Sequence, residues 1–356
     1  MKKDPVCQML VEERNALTAE SDDKVFYFCS SGCREKFLWE KTCQLPQSFY
    51  DLVIVGGGPA GLTAAIYATT LKLNTFLIAK DLGGQAIDST KIENYMGFDL
   101  ITGPELIKKF QDQLLHSHFV DHLLSEVVEI EAVSGGFKVL TSQDGSYWSR
   151  TLVIATGMAR KKLGVPGEER LQRRGIFYGD IPDLSFAQGV EVAVIGGGNS
   201  AVQMVENLQT VAKQIHLVAR SGLTADPAVG GRLDPVPNLT RYEGYDTLEF
   251  TGENALTGIR IRRKGTEEIL SVPVKGVFIA IGMKPNSALA AGLVTVNARG
   301  EIVVGPDCST SSSGIFAAGD VTDVYGKRII IAAGEGAKAA IAAREYLLSL
   351  EKSSDM

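Results

Sequence analysis

Two stretches of this 356-residue chain read as strand, glycine-rich turn, helix: "YDLVIVGGGPAGLTAAIYA" and "EVAVIGGGNSAVQMVENL". In the first, an apolar strand from Leu52 to Val55 runs into Gly56, Gly58 and Gly61, and Pro59 and Ala60 open an alanine-rich helix. In the second, Val192 to Ile195 runs into Gly196, Gly198 and Ala201, with Asn199 and Ser200 at the helix start. Such a turn lets a phosphate reach the backbone amides at a helix N-terminus, because glycine places no Cβ in the way. A single turn of this kind is also compatible with a merely tight strand-to-helix connection. Two in order, about 140 residues apart, predict two dinucleotide-binding, Rossmann-like three-layer domains and an α/β fold.

The length accommodates two or three domains, and 45% hydrophobic with 22% charged residues fits a globular chain. A net charge of -6, with basic residues dispersed along the sequence, argues against a nucleic-acid partner. The start "MKKDPVCQMLVEER" has no apolar signal region and no apolar run is long enough to span a bilayer, so the expectation is a cytoplasmic protein with no membrane partner. Of five cysteines, Cys7, Cys29, Cys33 and Cys43 fall in the first 43 residues and only Cys308 lies elsewhere. That distribution suggests metal ligation or thiol chemistry rather than a disulfide scaffold.

Further motifs follow in order: "GGQ" at Gly83 to Gln85, "IENYMGF" around Asn94, "LVIATG" ending in Ala155, Thr156 and Gly157, "VFIAIGMKPN" at Val277 to Asn286, and "TSSSGIFAAGDVTD" with Gly319 and Asp320. Their order and spacing resemble the thioredoxin reductase branch of the FAD-dependent pyridine-nucleotide oxidoreductases, from Tyr50 to about Leu348. The resemblance implies an FAD-binding domain split between 48–163 and 279–350, with an NAD(P)-binding domain at 164–278 inserted. It implies that Gly56, Gly58, Pro59, Ala60, Gly61, Gly83, Gln85, Asn94, Ala155, Thr156 and Gly157 line the FAD. It further implies that Gly319 and Asp320 form the second flavin motif, with Asp320 on the ribityl chain. The helix that begins near Arg328 and Ile329 faces the pyrophosphate. A homodimer is also implied.

The same resemblance places a redox Cys-x-x-Cys just before the second glycine-rich turn, where the sequence reads "GIFYGDIPDLSFAQG". Tyr178, Asp183, Phe186 and Gly189 keep the family pattern, while Gly179 and Pro182 occupy the two cysteine positions. Neither can exchange thiols, so relay to thioredoxin through this site is not expected. Asp183 is the candidate catalytic proton donor, with a turn aspartate as the alternative. Cys308 reads as a small apolar residue of a loop or strand. NADPH-specific relatives carry a cationic cluster after the second turn; "IHLVARSGLTAD" gives Ala219, Arg220, Ser221 and Ala225 there, and only Arg220 keeps a charge. No acid stands at that strand end, so the donor is NADPH or NADH. Arg232 reads as a surface arginine, or as a second positive group.

Residues 1–45 fall outside this pattern and resemble the small YHS/TRASH-type metal-binding module. Cys7, Cys29 and Cys33 are the candidate ligands for one soft or borderline ion, Zn, Cu or Hg. Phe26, Tyr27, Phe28, Phe37 and Trp39 would form its small core; Met9 reads as core filler and Cys43 as a linker thiol, with a fourth metal ligand as the alternative for each. "HSHFVDH", His116 to His122, reads as a solvated helix end rather than a metal site. The function expected is an NAD(P)H-dependent flavoprotein that passes electrons from flavin directly to a small-molecule, metal-ion or redox-protein acceptor, with the N-terminal module linking it to heavy-metal handling. A ferredoxin or flavodoxin reductase and a non-catalytic flavin- and metal-binding sensor are the alternatives.

Overall fold

A computed structural model of the chain describes residues 2–5, 10–14, 16–21, 24–28, 34, 37, 49–89, 91–115, 120–143, 145–178 and 184–354. It divides into two compact units, residues 1–158 with 285–356, and residues 159–284. The N-terminal part of the first unit holds two antiparallel pairs: β1 (Lys2–Lys3) with β2 (Leu10–Val11), and β3 (Leu17–Ser21) with β4 (Lys24–Phe28). Ala19, Phe28 and Phe37 form a core of their own, with the Phe26 and Phe37 rings 4.5 Å apart. Cys7, Met9, Cys29, Cys33, Trp39 and Cys43 lie outside the described residues.

The main sheet of the first unit has β5 (Phe49–Val55) at its centre, followed by helix α1 (Pro59–Thr70) and β6 (Thr75–Ala79). Helix α2 (Gly103–Leu115) then leads to β7 (Val120–Leu124), and the meander β8 (Val127–Val133), β9 (Gly136–Thr141) and β10 (Ser146–Ile154) follows. The strand order is β7-β6-β5-β10-β9-β8, with strand Ile315–Ala317 added alongside β10. Pairings among β7, β6, β5 and β10 are parallel, and β6 is buried along its whole length, as a strand covered on both faces must be. One face packs on α1 and the C-terminal helix Ile329–Ser354 through small residues, among them Ala64, Ala65, Ala68, Ala339, Ala340 and Ala343. The two helices approach so closely that a Cβ on Gly336 would overlap the Ala60 carbonyl oxygen. The other face packs on Ala290, Val294 and Ile302.

His122 departs from the expected solvated helix end. It sits in β7 opposite Leu77 and is 6% exposed. The strand resumes at Val120, and His122 falls on an inward position of its two-residue period.

β11 (Met158–Arg160) pairs with strand Met283–Pro285 where the chain enters and leaves the second unit. Its elements are β12 (Ile176–Tyr178), β13 (Glu191–Ile195), α3 (Asn199–Leu208), β14 (Gln214–Ala219), β15 (Leu239–Glu243), an antiparallel meander β16 (Tyr245–Thr251), β17 (Gly258–Arg263) and β18 (Ile269–Val272), and β19 (Gly276–Ile279). Five strands run parallel in the order β12-β19-β13-β14-β15. The result is an α/β fold with two Rossmann-type units. Among the described residues no helix is long and apolar enough to cross a membrane.

Candidate functional site

In the first unit the turn after β5 is held by contacts that exclude side chains. Gly56 has φ +119°, and a Cβ there would overlap the Ala155 carbonyl oxygen; a Cβ on Gly61 would overlap the Gly56 carbonyl oxygen. Gly58 differs: its backbone is extended, and a Cβ would meet nothing within 4 Å. It forms the N-cap of α1, which starts at Pro59 without a side-chain cap or an acid in its first turn. An uncapped helix start beside open space suits an anionic group. Gly83 donates to the Gly57 carbonyl at 2.7 Å, and the Asp81 carboxylate accepts the Gly84 amide at 2.9 Å. The Gln85 amide reaches the Met158 carbonyl at 2.6 Å, and exposed Asn94 sits in the loop closed by the Ile92–Ile101 bridge.

Ala155, Thr156 and Gly157 follow the end of β10 beside that turn. Thr156 Oγ1 donates to the Asn286 carbonyl at 2.8 Å, the Asn286 side chain returns a bond to the Thr156 carbonyl at 2.9 Å, and the Asn286 amide donates to Gly157 at 2.9 Å. Asn286 closes the "VFIAIGMKPN" motif, and these three bonds fix its end on this loop. Gly319, at φ +80°, abuts the start of α1, since a Cβ there would lie 2.9 Å from Ala60 Cβ. Its amide donates to Glu335 Oε2 at 2.8 Å. Burial raises the Asp320 carboxyl above the ordinary carboxylate range, and Lys327 and Arg328 pull it back. Burial likewise raises Glu335, against the Gly319 amide and Lys338. Ile329 begins the C-terminal helix, which has no acid in its first turn, and Arg328 next to it is exposed. These glycines, the uncapped start of α1, the acid-free first turn of the C-terminal helix and the Asp320 carboxyl fit the pyrophosphate and polyol chain of a flavin dinucleotide.

In the second unit, Gly179, Pro182 and Asp183 lie outside the described residues, but both flanks are anchored. The Tyr178 hydroxyl donates to Glu168, which is 2% exposed and also accepts the Leu163 and Gly164 amides at 2.9 and 2.6 Å. Burial, then that bond, raises the Tyr178 phenol far above its usual range. The Arg160 guanidinium donates to the Tyr178 carbonyl. On the other flank, Phe186 packs on Phe177 and Phe278, with centroids 4.4 and 5.6 Å apart. Cys308, in the first unit, is fully buried; burial pushes its thiol up to about 11, and it donates to the Glu335 carbonyl at 3.5 Å.

The second glycine-rich turn borders a cleft of about 830 Å³ contained in the 159–284 unit. Gly196, at φ +142°, has no room for a Cβ against the Ala280 carbonyl; Gly198 is the extended N-cap of α3; buried Ala201 fills the place that glycine holds in the first turn. Asn199 and Asp226 exchange two 2.9 Å hydrogen bonds, and the Thr224 and Ala225 amides bond the Gly197 carbonyl, so the segment after Gly222 folds back on the turn. Ser200, Arg220 and Ser221 line the cleft. So do Asp246 and Arg262, which sequence reasoning missed because they come from β16 and β17 and belong to no local motif. Arg232 is not among the lining residues and lies 3.8 Å from Glu206. Among the described residues no group of His, Cys, Asp and Glu gathers as a metal site.

Residues 50–342 match the sequence profile of the pyridine nucleotide-disulphide oxidoreductases. The chain is 37% identical over 304 residues to the F subunit of alkyl hydroperoxide reductase in Pseudomonas putida, covering 84% of this chain and 58% of that one. It is 37% identical over 301 residues to the corresponding protein of Staphylococcus aureus strain MRSA252, covering 84% and 59%. It therefore spans under three fifths of the length of these relatives. Among solved structures it resembles thioredoxin reductase of Lactococcus lactis, with 31% identity, a TM-score of 0.67, and 84% of this chain and 99% of that one covered. Thioredoxin reductase of Streptococcus pyogenes MGAS5005 gives 34%, 0.66, 85% and 100%.

Proposed function

The chain belongs to the pyridine nucleotide-disulphide oxidoreductase family, and on that basis we propose a flavoprotein that takes hydride from a nicotinamide dinucleotide and delivers electrons from flavin directly to an acceptor. The observation that carries the reading is a cleft with a dinucleotide turn in a 159–284 unit whose sequence contains no cysteine. A dithiol relay needs two thiols in exchange distance, and that unit supplies none. The flavin, when bound, would supply reversible hydride acceptance. In this reading residues 48–163 and 279–350 hold FAD and 164–278 hold the nucleotide. Gly56 to Gly61 and the α1 start meet the pyrophosphate, and Asp320 orients the polyol chain. Asp183 holds the proton at its carboxyl for the reduced flavin or the acceptor. The relatives named as parts of a multi-subunit reductase favour a protein as the acceptor.

Anaerobic mixing of the FAD-loaded chain with NADH or NADPH tests this by bleaching of the flavin band, which is expected without comparable reduction of DTNB. Colourless protein that FAD cannot reconstitute would sink the reading. So would DTNB reduction at a relative's rate that survives replacement of Cys7, Cys29, Cys33 and Cys43.

The N-terminal segment is proposed to hold one Zn or Cu ion through Cys7, Cys29 and Cys33, a reading supported by their spacing in the sequence and by the small aromatic core of Phe26, Phe28 and Phe37 in the same segment. Cys29→Ser should remove stoichiometric metal while FAD content and flavin reduction persist. Metal content unchanged in that variant would eliminate the site.

A further inference from the structure

The cleft of the second unit carries more charge than its sequence motif provides. Arg220 Nε lies 3.0 Å from Asp246 Oδ1, and the two side chains differ in exposure, 78% for the arginine against 28% for the aspartate. Asp246 is held in β16 opposite Arg262 of β17, so it is the better-fixed member of the pair and Arg220 leans to it. Glu243 ends β15 next to Ala219, and its Oε2 would lie 3.2 Å from a Cβ on Gly222. Arg220, Asp246 and Arg262 thus line the cleft, and Glu243 stands beside Gly222 in the turn that follows β14.

In a Rossmann-type unit the groups at the end of this second strand meet the adenosine ribose. A 2′-phosphate carries roughly -1.5 to -2 at neutral pH and needs uncompensated cations. A ribose diol is neutral and donates hydroxyl hydrogen bonds that a carboxylate accepts. With Arg220 already paired at 3.0 Å with Asp246, a phosphate would meet a like charge beside its only motif-derived cation. Like-charge contact is penalised more than a missing attraction is.

Resting on the nucleotide reading above, we propose that Asp246 is the specificity-determining residue of this cleft: paired with Arg220, it selects a dinucleotide with a free 2′-hydroxyl, NADH, over the 2′-phosphorylated form. The carboxylate reaches the site from the meander, not from the strand end where an acid would be sought.

Calorimetric titration of the FAD-loaded full chain with NAD⁺ and NADP⁺ tests this without turnover. The unmodified chain should bind NAD⁺ more tightly. Asp246→Asn should shift the affinity ratio toward NADP⁺ by about tenfold, and Asp246→Ser, which also leaves Arg220 unpaired, should shift it the same way. Adding Arg220→Ala to Asp246→Asn should cancel the gain. A ratio unmoved in both single variants, or tighter NADP⁺ binding by the unmodified chain, overturns the assignment while leaving the nucleotide reading intact. Binding of neither nucleotide by the unmodified chain overturns both.

Discussion

Gly58 and Gly61 share one turn yet answer differently to a methyl group. A Cβ on Gly61 would overlap the Gly56 carbonyl oxygen, whereas one on Gly58 meets nothing. Gly61→Ala should therefore cost about 1–3 kcal/mol of stability, as overpacking does. Gly58→Ala should leave stability within about 0.5 kcal/mol and still lower flavin content, because its open side is where a phosphate would approach the α1 amides. Urea unfolding alongside the flavin-to-protein absorbance ratio checks both; equal loss of stability in the two variants would show that the turn is not built as described. These glycine positions were legible in the sequence, since each answers a local backbone demand. Asp246 and Arg262 were not, because a β-meander brings them to Arg220 across sequence separations that no motif records. His122 was misread for a related reason: the seven residues His116 to His122 look polar as a string, and only strand pairing turns His122 inward.

The C-terminal helix shows what an element adds beyond its residues. Its alanine-rich run announces a helix, and the structure uses the small residues to press it onto α1. That contact buries Glu335, 3% exposed, with its carboxylate on the Gly319 amide. A carboxyl whose pKa is raised on folding binds its proton more tightly in the folded chain. The flavin-free protein should therefore lose stability as pH rises from the ordinary carboxyl range, about 4.3 for Glu, toward neutrality. Glu335→Gln keeps an acceptor for Gly319 and removes the titration, so it should flatten that slope. Denaturant midpoints of both proteins across the pH series decide it, and identical slopes would show that folding does not raise the Glu335 carboxyl. Nothing in the sequence marks the acid at 335; its partner lies 16 residues upstream in the loop after strand Ile315–Ala317.

For the whole molecule, the order of motifs carried the architecture. Two strand-turn-helix units and the returning "GIFAAGD" segment correspond to a unit built from residues 1–158 and 285–356 and a second from 159–284. The parallel sheets, the family match over 50–342 and the likeness to thioredoxin reductases agree on that fold. What departs from those relatives' name is chemical: Gly179 and Pro182 stand in the sequence between the Tyr178 and Phe186 anchors, and no cysteine lies between Cys43 and Cys308. Whether electrons leave the flavin without a thiol relay is decided by counting them. Anaerobic titration of the FAD-loaded chain with a standardised reductant should end at about two electrons per flavin, the capacity of the flavin alone. Uptake of about four, a flavin plus a disulfide in exchange with it, would show that a thiol relay exists after all.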